Sequence, residues 1–148
     1  MLFSNRLSES CTRGSRLLYG AMHGKEALRY LLTSESKRSE RSGHSFTILL
    51  IYSTDKHGLT VQMDRDVAKI LVKALFCSLR ETDYIGWYLE GRIVGAVLTV
   101  LAQDSAVEVS ARIEQRLMDI FRVELSIEEI SHLQVKVCGY QDLEEIES

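Results

Sequence analysis

Apolar and polar residues follow patterns that predict regular elements from about residue 25 onward. Residues 25–41 have apolar side chains at helical spacing, and a charged stretch then leads to Gly43, which can end the helix. The apolar face of this helix consists of Ala27, Leu28, Leu31 and Leu32. Residues 46–52 form a continuous apolar run, which is typical of a strand buried on both faces. Residues 1–18 lack such periodicity, so we expect a flexible leader there.

The middle of the chain predicts a second helix and then a hairpin. The helix covers about residues 64–79, has apolar residues at 3.6-residue spacing, and can be capped by Asp64 or Asp66. Two strand-like runs follow, at residues 84–89 and 92–101, and only a Glu-Gly dipeptide separates them. So short a polar break predicts a β-hairpin.

The last third of the chain adds a helix and a strand. Asp104 can cap a helix that reaches Phe121, and residues 131–137 alternate as a half-exposed strand does. In that strand we expect the inward side chains to be Leu133, Val135 and Val137. From residue 46 the order is β-α-β-β-α-β, which predicts an α+β fold (an α/β sandwich) with a ferredoxin-like core and an extra N-terminal helix. We expect one domain at residues 19–148, with its core at about 46–140 and an acidic tail at 141–148.

Composition excludes several classes of function. A chain of 148 residues is long enough for one ordinary core. Its net charge of −3 gives no attraction to nucleic acid, and no apolar run is long enough to span a bilayer. The three cysteines are scattered without CxxC spacing, so we expect reduced thiols in a cytoplasmic protein and no zinc site.

Three segments carry a resemblance to a known family: residues 19–32 (YGAMHGKEALRYLL), 40–52 (ERSGHSFTILLIY) and 80–97 (RETDYIGWYLEGRIVGAV). They resemble the GGDEF domain, the family that makes cyclic di-GMP. The first is similar to the family's LTGLxNRRxF segment, and the second to its basic helix end, turn and first strand. The third has the spacing of RxxD, five residues, and then GGDEF before an apolar strand. The resemblance covers about residues 19–140 and implies the cyclase type of the ferredoxin-like fold.

The same resemblance implies that the catalytic residues are absent. The family's first strand ends in two metal-binding aspartates, and Tyr52 and Thr54 occupy those positions here. The GGDEF turn falls on Leu89, Glu90, Gly91, Arg92 and Ile93. The family's guanine-reading loop, FKxxND, is also missing. Because two divalent metals need convergent carboxylates, we expect a non-catalytic domain without a metal or cofactor.

Arg80 and Asp83 match the family's RxxD motif residue for residue. In the family this motif is an inhibitory site for cyclic di-GMP, so the resemblance implies that ligand as an allosteric effector. A guanidinium can clamp a phosphate or the Hoogsteen edge of guanine, and a carboxylate can accept from guanine N–H groups. The alternative is structural: Arg80 ends a helix, and Asp83 begins a turn.

Tyr84, Trp87 and Tyr88 form an aromatic cluster on the predicted hairpin. These side chains either pack against the helices or offer a docking surface to a protein partner. The resemblance favours a regulatory domain of bacterial cyclic di-GMP signalling that binds a protein partner, and it leaves a homodimer open.

Two other hypotheses remain open. A divergent active cyclase would use Asp55, Glu81 or Glu90 as replacement metal ligands. Alternatively, the chain is an unrelated ferredoxin-like interaction module. Asp55 and His57 also share the loop after the first strand, but two ligand types in one loop do not specify a metal site, so we expect a solvated loop.

Overall fold

The computed structural model describes residues 24–42, 45–79, 83–100 and 105–143, and the predicted leader lies outside them. The elements in chain order are α1 (Lys25–Ser42), β1 (Ser45–Thr54), β2 (Thr60–Val61), α2 (Arg65–Ser78), β3 (Tyr84–Leu89), β4 (Ile93–Val100), α3 (Ala106–Glu124), α4 (Ile127–His132), β5 (Leu133–Cys138) and a 3₁₀ helix (Tyr140–Asp142). The order β1-α2-β3-β4-α3-β5 is the predicted β-α-β-β-α-β core. The helix expected ahead of it is α1.

The sheet is antiparallel, and β1 lies in its interior. β4 pairs along one edge of β1 and β5 along the other, while β3 pairs with the far edge of β4. The core strands therefore have the order β5-β1-β4-β3, which is that of a ferredoxin-like fold. Ser53 pairs with both Val61 and Leu133, so β2 lies on the β4 side of β1, just beyond the end of β4.

Helices cover both faces of the sheet. Leu49 and Ile51 of β1 pack in a cluster with α2 and α3, whereas Ile48 and Leu50 pack in a second cluster with α1. All four are at most 1% exposed. The prediction of a strand buried on both faces is therefore confirmed, and each such side chain stabilises the fold by about 1.5–3 kcal/mol.

α1 packs closely against the sheet through a narrow apolar stripe. Leu28 and Leu32 are buried, while Ala27, which was predicted on the same face, is exposed. Gly95 of β4 lies beneath this stripe, and a Cβ atom there would come within 3.0 Å of Leu28 Cδ2. The glycine therefore sets how near α1 approaches the sheet.

The observed helix caps agree in part with those predicted from the sequence. Asp64 caps α2, since its Oδ1 accepts a hydrogen bond from Asp66 N at 2.8 Å. Ser105, and not the predicted Asp104, caps α3 by accepting from Glu108 N at 3.4 Å. Asp104 itself lies outside the described residues. Within the described part of the chain, no helix has the length and apolar character to cross a membrane.

The final strand begins later than predicted because α4 precedes it and ends at His132. Leu133 and Val135 are half-buried, as expected of inward side chains. Val137 is 40% exposed, and Cys138, which points to the opposite face, is buried instead. The inward pattern is therefore wrong at the end of β5.

Two of the three cysteines, Cys77 and Cys138, lie in the described part of the chain. Cys138 is a free, buried thiol. Burial raises the pKa of this thiol, and the charge of Asp142 adds to the rise while Lys136 opposes it. Cys77 lies on α2, and the prediction of a reduced thiol stays a prediction there.

Candidate functional site

The end of β1 and the β3–β4 turn lie side by side. Tyr52, near the end of β1, pairs with Ile93, the first residue of β4. Tyr52 and Thr54 were aligned with the metal-binding aspartates, and the turn was aligned with GGDEF. The structure therefore brings these two sets of positions together at one end of the sheet.

The end of β1 provides an aromatic ring and a hydroxyl group at this place. The Tyr52 side chain is half-buried and packs against the cluster on the α1 side. The Thr54 hydroxyl donates a hydrogen bond to the backbone oxygen of His132, at 3.3 Å, and so joins β1 to the end of α4. Neither group is an anionic oxygen, which is the ligand that hard divalent cations prefer.

The hairpin turn is tight and depends on Gly91. The backbone N–H of Arg92 donates a hydrogen bond to Leu89 O at 3.0 Å, and this bond closes a four-residue turn from Leu89 to Arg92. Gly91 is the third residue of this turn and has φ of 71°, in the left-handed region that favours glycine. The predicted hairpin at Glu90 and Gly91 is therefore confirmed.

The Glu90 side chain caps a helix. Its Oε1 accepts a hydrogen bond from the backbone N–H of Lys25, the first residue of α1, at 3.0 Å. That N–H is one of the N-terminal groups that no carbonyl of the same helix can satisfy. A carboxylate is also favoured beside the positive end of the helix dipole.

The other side of the turn is bonded to the segment around β2. Gly91 O accepts from Met63 N at 2.8 Å. The Arg92 guanidinium donates to Thr60 O at 3.3 Å. The turn therefore connects α1 to β2, and Arg92 places a cation where the family pattern has an acidic residue.

Asp55 organises the loop that follows β1. Its Oδ1 accepts from His57 N at 2.9 Å and from Leu59 N at 3.0 Å, while Gly58 takes φ of 81°. The His57 side chain is exposed, as expected of a solvated loop. Across the described ranges, no three or more His, Cys, Asp and Glu side chains are grouped so that they could hold a metal ion.

Asp83 forms two hydrogen bonds to one residue of β4. Its Oδ1 accepts from the backbone N–H of Thr99 at 3.0 Å and from the Thr99 hydroxyl at 3.2 Å. The pairing of β3 with β4 begins at Tyr84 and Val97, and Asp83 immediately precedes Tyr84. The Asp83 side chain therefore extends the bonding between β3 and β4 beyond their paired residues. These bonds are structural, but they join Asp83 to β4, whereas the alternative interpretation had Asp83 begin a turn. Arg80 and Glu81 lie outside the described residues, so the RxxD site stays a prediction.

Two solved structures have a fold similar to that of this protein over most of the chain. A DGC protein from Thermotoga maritima has a TM-score of 0.52 and 16% identity, covering 86% of this chain and 92% of its own. A sensory box/GGDEF family protein from Caulobacter crescentus has a TM-score of 0.57 and 18% identity, covering 82% and 80%. This chain has the GGDEF fold. At the level of sequence, no protein-family model and no curated protein matches it.

Two features distinguish this GGDEF-like fold from the unrelated ferredoxin-like module that the sequence left open. One is a helix packed on the sheet ahead of the first strand, which is α1. The other is the hairpin at Glu90 and Gly91. Both are present.

The aromatic cluster of this GGDEF-like domain is mostly buried. Trp87 is 8% exposed and packs with α2 and α3, while Tyr88 is 2% exposed and packs on the α1 side. The Tyr88 hydroxyl donates to Leu143 O at 3.3 Å, and the guanidinium of Arg29 lies 5.0 Å from its ring centroid. Successive residues of a strand point to opposite faces, so adjacent aromatics cannot form one surface. The docking alternative is therefore wrong for Trp87 and Tyr88, which pack against the helices; Tyr84 is half-buried and packs against the cluster on the α1 side.

A groove that the sequence did not reveal lies at the opposite end of α1. It has a volume of about 380 Å³ and is formed by the last turns of α1, the start of β1 and the 3₁₀ helix. Ser36, Ser39 and Glu40 line one side, and Phe46 and Tyr140 line the other. These segments are far apart in sequence, so no local motif identifies the groove.

Proposed function

We propose that this chain is a non-catalytic GGDEF-like domain that acts by binding a protein partner in cyclic di-GMP signalling. One observation carries the proposal: the described carboxylates beside the positions aligned with the family's metal ligands and signature turn accept hydrogen bonds from the protein's own backbone. Asp55 holds its own loop, and Glu90 caps α1. The positions that align with the family's metal ligands carry Tyr52 and Thr54.

The observation matters because cyclisation requires a site for two metal ions. Two metal ions must be held so that they stabilise both the attacking and the leaving oxygen, and this needs several anionic ligands converging on one point. In this chain Arg92 adds a positive charge to the same turn. A cation at that position repels divalent metal ions and cannot act as their ligand.

The alternative left open by the sequence is a divergent cyclase that recruits Asp55, Glu81 or Glu90. Such an enzyme would have to release Asp55 from two backbone N–H groups and Glu90 from the start of α1. Incubation with GTP or ATP and either Mg²⁺ or Mn²⁺, followed by chromatography of the products, tests the proposal. Any cyclic nucleotide would replace it with the enzyme hypothesis.

A receptor version of the proposal adds cyclic di-GMP at Arg80 and Asp83. Calorimetric titration of the native chain separates this version from protein binding alone. Saturable heat at tens of micromolar, about −6 to −7 kcal/mol of binding free energy, would support the receptor if Arg80→Ala abolishes it. Asp83→Asn is the better partner variant, because its side-chain oxygen can still accept from Thr99. Without saturable heat, the protein-binding version remains.

A further inference from the structure

We propose that the groove between α1 and the 3₁₀ helix binds an arginine side chain of a protein partner. The inference rests on the proposed function, because it concerns how such a partner is recognised. The groove is defined by Ser36, Ser39, Glu40, Phe46 and Tyr140. Its volume of about 380 Å³ lies at the small end of the range for ligand sites, which suits one long side chain.

The aromatic side of the groove is suited to a flat cation. The Phe46 and Tyr140 rings meet edge to face, with centroids 6.3 Å apart and planes at 61°. Phe46 packs against the core and is held there, whereas Tyr140 keeps 37% of its surface exposed. A guanidinium stacks on an exposed aromatic face through the cation–π interaction.

The polar side of the groove has the complementary charge. Of the described residues that line it, Glu40 alone is charged, and its side chain is exposed. Glu40 lies in the final turns of α1, where the helix dipole presents its negative end. Three basic residues, Lys37, Arg38 and Arg41, are close to Glu40 in sequence but do not line the groove, and Arg38 is paired with Glu35 at 3.6 Å. A carboxylate, a helix C-terminus and an aromatic face therefore converge on one concave surface, and the guanidinium of arginine satisfies all three.

The test is a titration of the full chain with Nα-acetyl-arginine amide, followed by ¹H–¹⁵N spectra. We expect saturable shifts at the backbone amides of Ser39, Gly139 and Gln141, in the millimolar range for so small a probe. Glu40→Gln and Tyr140→Leu should each weaken binding about two- to fivefold, the size of an exposed cation–π or ion-pair contact. The matched controls are Glu26→Gln and Tyr30→Leu, which change the same residue types at exposed positions near the start of α1. These should leave the affinity unchanged.

The citrulline analogue of the probe, which keeps the shape but not the charge, should produce no saturable shifts. Equal binding of citrulline and arginine, shifts spread over the whole domain, or equal affinity in the groove variants and their controls would overturn the inference. If Tyr140→Leu fails to fold, Glu40→Gln alone decides. The titration contains no nucleotide, so its failure is distinct from the appearance of a cyclic product, which would reject the proposed function.

Discussion

The carboxylate of Glu90 accepts a hydrogen bond at 3.0 Å from the backbone N–H of Lys25, a residue 65 positions away in sequence. The contact joins the tip of the β3–β4 hairpin to the start of α1. In the GGDEF pattern this position of the turn is the second glycine. Here the same position carries a side chain that stabilises a helix.

Removing this cap should lower stability. We expect Glu90→Ala to reduce the free energy of unfolding by about 0.5–2 kcal/mol, the range for losing an N-terminal cap. Glu90→Gln keeps an acceptor oxygen and loses only the interaction of the charge with the helix dipole, about 0.3–1 kcal/mol. Urea denaturation of the three proteins measures both values. Equal losses in the two variants would show that the hydrogen bond contributes nothing.

Asp83 and Thr99 should be energetically coupled. Asp83→Ala leaves the Thr99 N–H without this half-buried acceptor, so we expect a loss of about 1–3 kcal/mol. Asp83→Asn should lose less, because it can still accept. A double-mutant cycle with Thr99→Val isolates the bond from the hydroxyl, and we expect a coupling of about 0.5 kcal/mol or more. Strict additivity would reject the contact.

A side chain at position 95 should be energetically coupled to Leu28. The Cβ atom of Gly95→Ala would meet Leu28 Cδ2 at 3.0 Å, so the flexible end of the leucine must shift by a few tenths of an ångström, and we expect the free energy of unfolding to fall by about 1 kcal/mol or less. In a Leu28→Ala background the added methyl group has space, so the combined loss should be smaller than the sum of the two single losses. Chemical denaturation measures all four proteins. If the loss in the double mutant equals the sum of the two single losses to within about 0.5 kcal/mol, Leu28 of α1 does not press on position 95.

Because the pKa of the Cys138 thiol is raised, we expect the protein to lose stability at alkaline pH. Burial, aided by the charge of Asp142, raises the pKa of this thiol above its ordinary value of 9.0, against the opposing effect of Lys136. Above pH 9.0 the unfolded thiol therefore ionises while the folded thiol stays protonated, so stability falls as the pH rises. Denaturation at several pH values should show a steeper fall for the native chain than for Cys138→Ala. Parallel curves would contradict this account.

Much of the fold could be predicted because its core elements have strong local patterns. The continuous apolar run of β1 and the Glu-Gly break of the hairpin both indicate their structures without reference to distant residues. α4 was missed because six residues carry too little periodicity. Its capping box was nevertheless present in the sequence, since Ser126 accepts from Glu129 N while Ser126 N donates to the Glu129 carboxylate.

The site was harder to predict because its contacts join distant residues. Asp83 could be recognised as part of an RxxD pattern, but its bonds to Thr99 depend on how β3 and β4 align. The aromatic residues of the hairpin were harder to place for another reason. Trp87 and Tyr88 are neighbours in sequence, and strand alternation sends them to opposite sides of the sheet.

The central claim is that the fold persists without cyclase chemistry. The most direct measurement is incubation of purified protein with GTP and Mg²⁺ or Mn²⁺, followed by chromatographic analysis, with an active diguanylate cyclase as the positive control. We predict that GTP is recovered unchanged and that no cyclic di-GMP forms, and that Arg92→Glu alone does not create activity. Formation of cyclic di-GMP by the native chain, abolished when Asp55 or Glu90 is replaced, would contradict the account.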